Sequence, residues 1–404
     1  MSRRRRILLG TGAVTVVLAV VGLVYAESRG WLTREYWAAA SSDLRGCGTV
    51  EWTSEPGGGD RPLVGLEQIV VDGPQLTGLA LHPDGDTMYL LRETGEVVLH
   101  GADGPSVALD LSGRVTIDRD QGLLGGVVDE AGNWLYLIFT GLEGETRVEA
   151  FPLVDGLPVN EPVELLEVAQ DDEHHNGGGI ALDDEGALWI GIGDGGIIGD
   201  QDNNAQARDE LLGKVLRIEP TPGAAEPYVV PASNPFVGDP DGADEIFAIG
   251  VRNPFRISVH GDEILVGDVG HNCVEEVSTL HRGDDAGANL GWNRFEGTRT
   301  FVGGGVDEHH EPTFQYPHDP GWCATVGAVA YAGDAVEALE GRIVTGDFCS
   351  GRLLAIDPDG SDALDLGVDV GPAIVQLTTD HEGEVLVVGY DGTVRRLTEP
   401  TGGP

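Results

Sequence analysis

The feature that most constrains this chain is a module that recurs six times between Thr77 and Leu397: an apolar run, a turn rich in Asp, Gly or Asn, and a second apolar run. The copies span Thr77–Val98, Gly122–Leu153, Gly178–Ile218, Phe255–Leu280, Gly327–Ile356 and Ile374–Leu397. Short strands with turn signals between them and few helical patterns predict an all-β repeat fold, since one such unit cannot bury its apolar face alone. Strands grouped in this way around an axis make a six-bladed β-propeller. A pair of β-sandwiches is the competing architecture, but it has no need of six equivalent units. A strand near Leu63–Val71 is expected to complete the last blade and close the ring. The long insertion Asp284–Trp322 is expected to crown one face.

Residues 61–400 are therefore assigned to the propeller, residues 27–60 to an N-terminal arm with a linker at Pro56–Gly59, and residues 1–26 to a leader. Arg3–Arg6 precede an uncharged apolar run, Ile7–Ala26, with small residues before Glu27. That pattern fits a signal peptide cleaved after Ala26, and the run is also long enough to form a transmembrane anchor helix. Either way the body is expected to be extracytoplasmic, periplasmic or secreted, touching a membrane only through this segment. The leader holds four of the 24 basic residues and none of the 68 acidic ones, so the remainder carries a formal charge of −48. Such a surface excludes nucleic acid as a partner and suits a cation-rich medium. Four cysteines in an exported chain read as two disulfides. Cys323 and Cys349 flank a hairpin-like stretch and form the preferred pair, which leaves Cys47 with Cys273.

Chemistry concentrates in Glu173–Gly196, where a histidine pair and a glycine triplet meet two short strands, Ile180–Leu182 and Leu188–Ile192. If those strands form a hairpin, His175 and Asp194 lie at neighbouring strand ends. An imidazole there can take a proton from a hydroxyl, with the carboxylate fixing its tautomer. The alternative is a surface pair in an acidic loop. Arg252 and Asn253 precede another strand and can hold a carboxylate or oxyanion, or simply anchor a turn. Gly267–Asn272 is rich in oxygen donors and backbone bends that suit Ca²⁺, or else forms a solvated turn. His309, His310 and His318 match no compact metal motif and read as loop packing.

Together these stretches resemble the glucose/sorbosone dehydrogenase family, which includes soluble aldose dehydrogenases that use pyrroloquinoline quinone (PQQ) and hedgehog-interacting-protein-like propellers. The carriers are Gln121–Gly125, His174–Gly196, Leu211–Ile218, Gly250–Pro254, Gly267–Gly270, Gly287–Trp292 and Gly346–Arg352, and the likeness covers Gln75–Leu397. It implies a six-bladed propeller and oxidation of a small-molecule sugar, with the electron acceptor unspecified. It implies His175 as general base, Asp194 as the acid that orients it, and Arg252, Asn253 and Gln121 as contacts to PQQ. The backbone carbonyls of Gly270 and His271 would hold the PQQ-bound Ca²⁺.

The chain departs from the pattern where soluble glucose dehydrogenases grip the carboxylates of PQQ with basic residues. Phe348–Gly351 and Pro372–Gln376 contain no lysine and no arginine. A propeller that binds a glycan or protein without redox turnover is the second reading, and a propeller hydrolase or lactonase is the third. Arg342, Arg352 or a metal are the candidates to replace the missing grip.

Overall fold

The computed structural model describes residues 47, 50–58, 62–101, 104–170, 172–196, 199–200, 202–301, 306, 308–318, 321–371 and 373–400. Residues 1–26, expected to form a signal peptide or anchor, lie outside the described residues. No described helix is long and apolar enough to cross a membrane.

Six antiparallel sheets follow one another along the chain. Their innermost strands are Leu76–Leu81, Leu123–Val128, Ile180–Leu182, Pro254–His260, Thr325–Ala330 and Ile374–Thr379. The second strands are the most apolar: Leu188–Ile192, Ile343–Asp347 and Val385–Gly389 are buried at every position. A strand covered on both faces by neighbouring sheets has no solvent side, so it loses the polar alternation of a half-exposed one. Near the axis the innermost strands crowd each other, and glycine meets that demand. A Cβ on Gly125 would overlap the carbonyl of Gly178, and one on Gly267 would overlap the backbone of Gly327.

Closure occurs where the sequence places it. Gly65–Val71 pairs antiparallel with Thr393–Thr398, with Gly65 opposite Thr398 and Val71 opposite Thr393. The first strand of the ring thus becomes the outer strand of the sixth blade, and the union of the two chain ends removes an open sheet edge. The insertion is shorter than the sequence suggests. Phe314–Pro317, buried throughout, pairs with Val274–His281 as the outer strand of blade four, so only the residues before it are free to form loops. Gly57–Gly58, inside the stretch read as an arm and linker, runs parallel to Ala363–Asp369. Trp52 packs 5.6 Å from Tyr316 and 5.4 Å from Trp322. From Val50 onward the chain is a single unit.

Candidate active site

The hairpin between Ile180–Leu182 and Leu188–Ile192 forms with Ile180 opposite Ile190 and Leu182 opposite Leu188. His175 stands just before it, only 4% exposed, with φ at +55°. That left-handed conformation is unfavourable for a residue with a side chain, so the surroundings must enforce it. Its N–H donates to Asp120 Oδ2 at 3.0 Å, and its carbonyl lies so close to Gly193 that a Cβ there would overlap it. The glycines of this stretch let the imidazole lie against the end of the adjacent strand.

The imidazole is held from both sides. Nδ1 lies 2.6 Å from Asp194 Oδ1, and Arg252 Nη2 lies 2.7 Å from Nε2. A guanidinium can only donate, so Nε2 presents its lone pair and the ring proton sits on Nδ1, facing the carboxylate. Asp194 is fully buried and accepts two further hydrogen bonds, from Trp292 Nε1 at 2.7 Å and from the Gly196 N–H at 3.0 Å. Burial pushes the pKa of His175 down, and the Arg252 guanidinium adds to that; the Asp194 carboxylate pulls the other way without prevailing. The ring is therefore neutral at neutral pH, the state a base requires.

Arg252 and Asn253 sit just before Pro254–His260, and one acid fixes both. Asp268 accepts the N–H of Arg252 at 2.8 Å and that of Asn253 at 2.6 Å. Arg252 Nη1 donates to the Val269 carbonyl at 2.8 Å, while the Arg252 carbonyl accepts the Asp194 N–H at 2.8 Å. Asn253 Oδ1 accepts the Gly177 N–H at 2.9 Å. Arg252 Nε is buried without a hydrogen-bond partner, as are the Nε atoms of Arg217, Arg256 and Arg396.

The structure thus brings His175, Asp194, Arg252 and Asn253 into one cluster, although 78 positions of sequence separate the first from the last. Gln121 is buried directly after Asp120, the residue that holds the His175 N–H. The His271 ring packs 5.8 Å from Trp292, which caps Asp194. In the Gly270–Val274 turn, the N–H groups of His271, Asn272, Cys273 and Val274 all point at Glu296 Oε1. Among the described residues no group of three or more His, Cys, Asp or Glu could hold a metal ion. His174 turns away to Asp172, 2.7 Å off. His310 Nε2 lies 3.0 Å from the Thr279 carbonyl, His318 contacts Glu275, and His309 stacks on Phe295, so all three serve loop packing. Cys323 and Cys349 are bonded as expected, with Cα atoms 5.6 Å apart. Cys47 and Cys273 are also in the disulfide state.

Trp292, Asp268 and Asp120 are the residues sequence reasoning missed. Trp292 and Asp268 lay inside motifs already singled out, and Asp120 directly precedes one. What the sequence lacked was any sign of which atoms they hold. Arg342 and Arg352, the candidates for a replacement cationic grip, are engaged elsewhere. Arg342 lies 3.1 Å from Asp357 and 3.0 Å from Asp362, and Arg352 is paired with Asp365.

The carboxylates beneath the site predict how stability varies with pH. Burial raises the pKa of Asp268, Glu275 and Glu276, with the Asp268 charge adding to the rise at Glu276, and burial lifts Asp200 to about 6. The native state therefore binds protons that the unfolded chain has already released. That contribution is complete below about pH 4 and is lost as pH rises through the native values. His175 and His309, whose pKa values burial lowers, oppose it with one proton each, taken up by the unfolded chain as pH falls through the ordinary histidine range, while the raised His318 works in the same direction as the carboxylates. Thermal melts are expected to show a midpoint that falls from pH 5 to pH 7, with a loss of at least ~1 kcal/mol.

The fold is a ring of six blades with a buried imidazole–carboxylate pair and a guanidinium converging on it. A family model described as glucose/sorbosone dehydrogenase matches residues 74–396, and the chain belongs to that family. The HIPL2 protein of Arabidopsis thaliana is 37% identical over 139 residues, covering 31% of this chain and 19% of that protein. Human hedgehog-interacting protein is 30% identical over 190 residues, covering 45% of this chain and 25% of that protein. The matches span only a quarter or less of these relatives' own length. The PQQ-bound form of aldose sugar dehydrogenase from Streptomyces coelicolor superposes with a TM-score of 0.64 at 20% identity, covering 83% of this chain and 98% of that one, which shows the shared fold.

Proposed function

We propose that this protein is an extracytoplasmic sugar oxidoreductase of the PQQ-dependent aldose dehydrogenase type. The observation that carries the reading is the buried His175 imidazole, held between Asp194 at Nδ1 and Arg252 at Nε2. In this mechanism Nε2 removes the proton from the anomeric hydroxyl while the hydrogen on the same carbon leaves as hydride. Asp194 then stabilises the imidazolium that forms. Arg252 Nη2 releases Nε2 when the hydroxyl arrives, and its guanidinium turns to the oxygen as charge develops there. Water is kept from the pair by burial: His175 and Asp194 are 4% and 0% exposed.

Arg252, with its unpartnered Nε, together with the adjacent Asn253 and with Gln121, which follows Asp120, would hold one edge of PQQ. The carbonyls of Gly270 and His271 would hold its Ca²⁺. When bound, PQQ supplies the two-electron acceptor for the hydride. The disulfide between Cys323 and Cys349 supports a location outside the cytoplasm.

One observation favours a second reading, a propeller that binds a glycan or protein without turnover. PQQ carries three carboxylates, and Arg342 and Arg352 are both committed to acids. Buried charge left without a partner weakens binding by several kcal/mol. The test is to add PQQ and Ca²⁺ to the purified protein and follow dye reduction with a panel of aldoses. Saturable PQQ binding with reduction supports the oxidoreductase; no binding and no reduction with any aldose overturns it in favour of the second reading.

A further inference from the structure

A second charged feature lies on the propeller axis, apart from the catalytic cluster. A channel of about 220 Å³ is lined by all six innermost strands, including Leu79, Val127, Ile180, Ser258, Val329 and Thr378. Most of the lining lies in the later parts of those strands, with Gly178 and Ile180 at the start of theirs, whereas His175 and Arg252 precede the strand starts, and neither of them lines the channel.

Arg256 lines the channel. It is 7% exposed, and its guanidinium reaches across the axis to carbonyls of other blades: Nη2 to Thr77, and Nη1 to Gly178 at 3.5 Å, with Phe255 O at 2.8 Å. Glycines make the room, because a Cβ on Gly327 would overlap the Arg256 stem and one on Gly178 would press on Nη1. The Phe255 ring centroid lies 4.3 Å from Cζ. Nε has no partner. In a chain with 68 acidic residues, not one lines this channel.

The arrangement is electrostatically incomplete. Burial drives the guanidinium pKa downward with no carboxylate to oppose it, yet arginine keeps its proton. Carbonyl dipoles offset part of the cost of a buried charge, and a full counter-charge offsets much more. The walls choose the kind of counter-ion. The Leu79, Ile180, Ile257 and Val329 side chains are buried in the cores between blades, so strand backbone and polar groups such as Thr378 face the channel, and its small volume favours a compact anion that sheds water easily over a strongly hydrated dianion such as sulfate.

We infer that the axial channel is a binding site for a small, weakly hydrated monovalent anion such as chloride or nitrate, held against Arg256. The site is independent of the redox reading and would persist if no cofactor bound.

The test uses bromide as the probe. Crystals of the whole protein are soaked in sodium bromide and data are collected at the bromine edge. An anomalous peak in the channel within hydrogen-bonding reach of the guanidinium supports the site. Water alone at molar bromide overturns it. In solution, replacing gluconate by chloride at constant sodium is expected to raise the melting temperature of the wild type. The rise should vanish in Arg256→Gln, which keeps a donor to the carbonyls but removes the charge. An equal rise in both proteins would assign the effect to the surface and sink the proposal. If Arg256→Gln fails to fold, the bromide measurement on the wild type still decides.

Discussion

Replacing His175 by glutamine is expected to lower aldose turnover by about 10²- to 10⁴-fold, the range lost when a positioned general base is removed. Glutamine has nearly the length of the imidazole and fits the gap between Asp194 and Arg252, so folding and cofactor binding should persist. It has no site that accepts a proton at neutral pH. Asp194→Asn should lower turnover in the same direction for a different reason. The carboxylate now accepts from His175 Nδ1, Trp292 Nε1 and the Gly196 N–H. An amide has one acceptor oxygen, so it would leave one donor group unmet and let the ring turn to the wrong tautomer. The measurement is steady-state dye reduction beside PQQ binding. A His175→Gln protein that keeps more than a tenth of wild-type turnover would remove the imidazole from the chemistry.

Asp347→Ala is expected to have the largest effect on stability, about 3–5 kcal/mol, as when one partner of a buried charged network is deleted. Asp347 is fully buried at the end of Ile343–Asp347. Oδ2 accepts from Tyr316 Oη at 3.1 Å and from the N–H groups of Cys323 and Ala324, each at 2.9 Å. Oδ1 accepts from Cys349 N at 3.0 Å and Ser350 N at 2.7 Å. Alanine would strand these donors in the interior, where each unmet group costs about 1–3 kcal/mol before relaxation. The same acid ties together the backbones on either side of the Cys323–Cys349 disulfide, so the loss would also loosen that loop. Urea unfolding should show a lower midpoint at unchanged slope, while the surface control Glu130→Ala stays within about 0.5 kcal/mol. A shift no larger than the control's would show that the loop stands without this acid.

Some parts of the molecule were legible at once. The hairpin that positions His175 and Asp194 was readable because strand, Asp-rich turn and strand follow each other within 13 residues, where local pattern dominates. Closure by the strand near Leu63–Val71 was readable from a single unpaired strand left over at the start of a repeat. Phe314–Pro317 was not. It lies beyond a loop of more than 30 residues from its partner strand, and nothing within four residues says which sheet they join. Trp292 was visible as a motif, yet its hydrogen bond to Asp194 spans 98 positions. Asp268 looked like a cation ligand because acidic, glycine-rich turns serve that end as readily as they serve backbone N–H groups. Only the directions of the Arg252 and Asn253 amides separate the two uses.

By itself the sequence determined the architecture: six apolar repeats of strand length must stack to bury their faces. The tertiary structure alone decided the chemistry and its limits. The tautomer of His175 depends on a carboxylate and a guanidinium arriving from two different blades. The commitment of Arg342 and Arg352 to nearby acids depends on which side chains the closed ring makes neighbours. Repeats are set by local free energy, summed along the chain, whereas charge pairing is set by distances of a few ångströms between residues that the chain itself holds far apart.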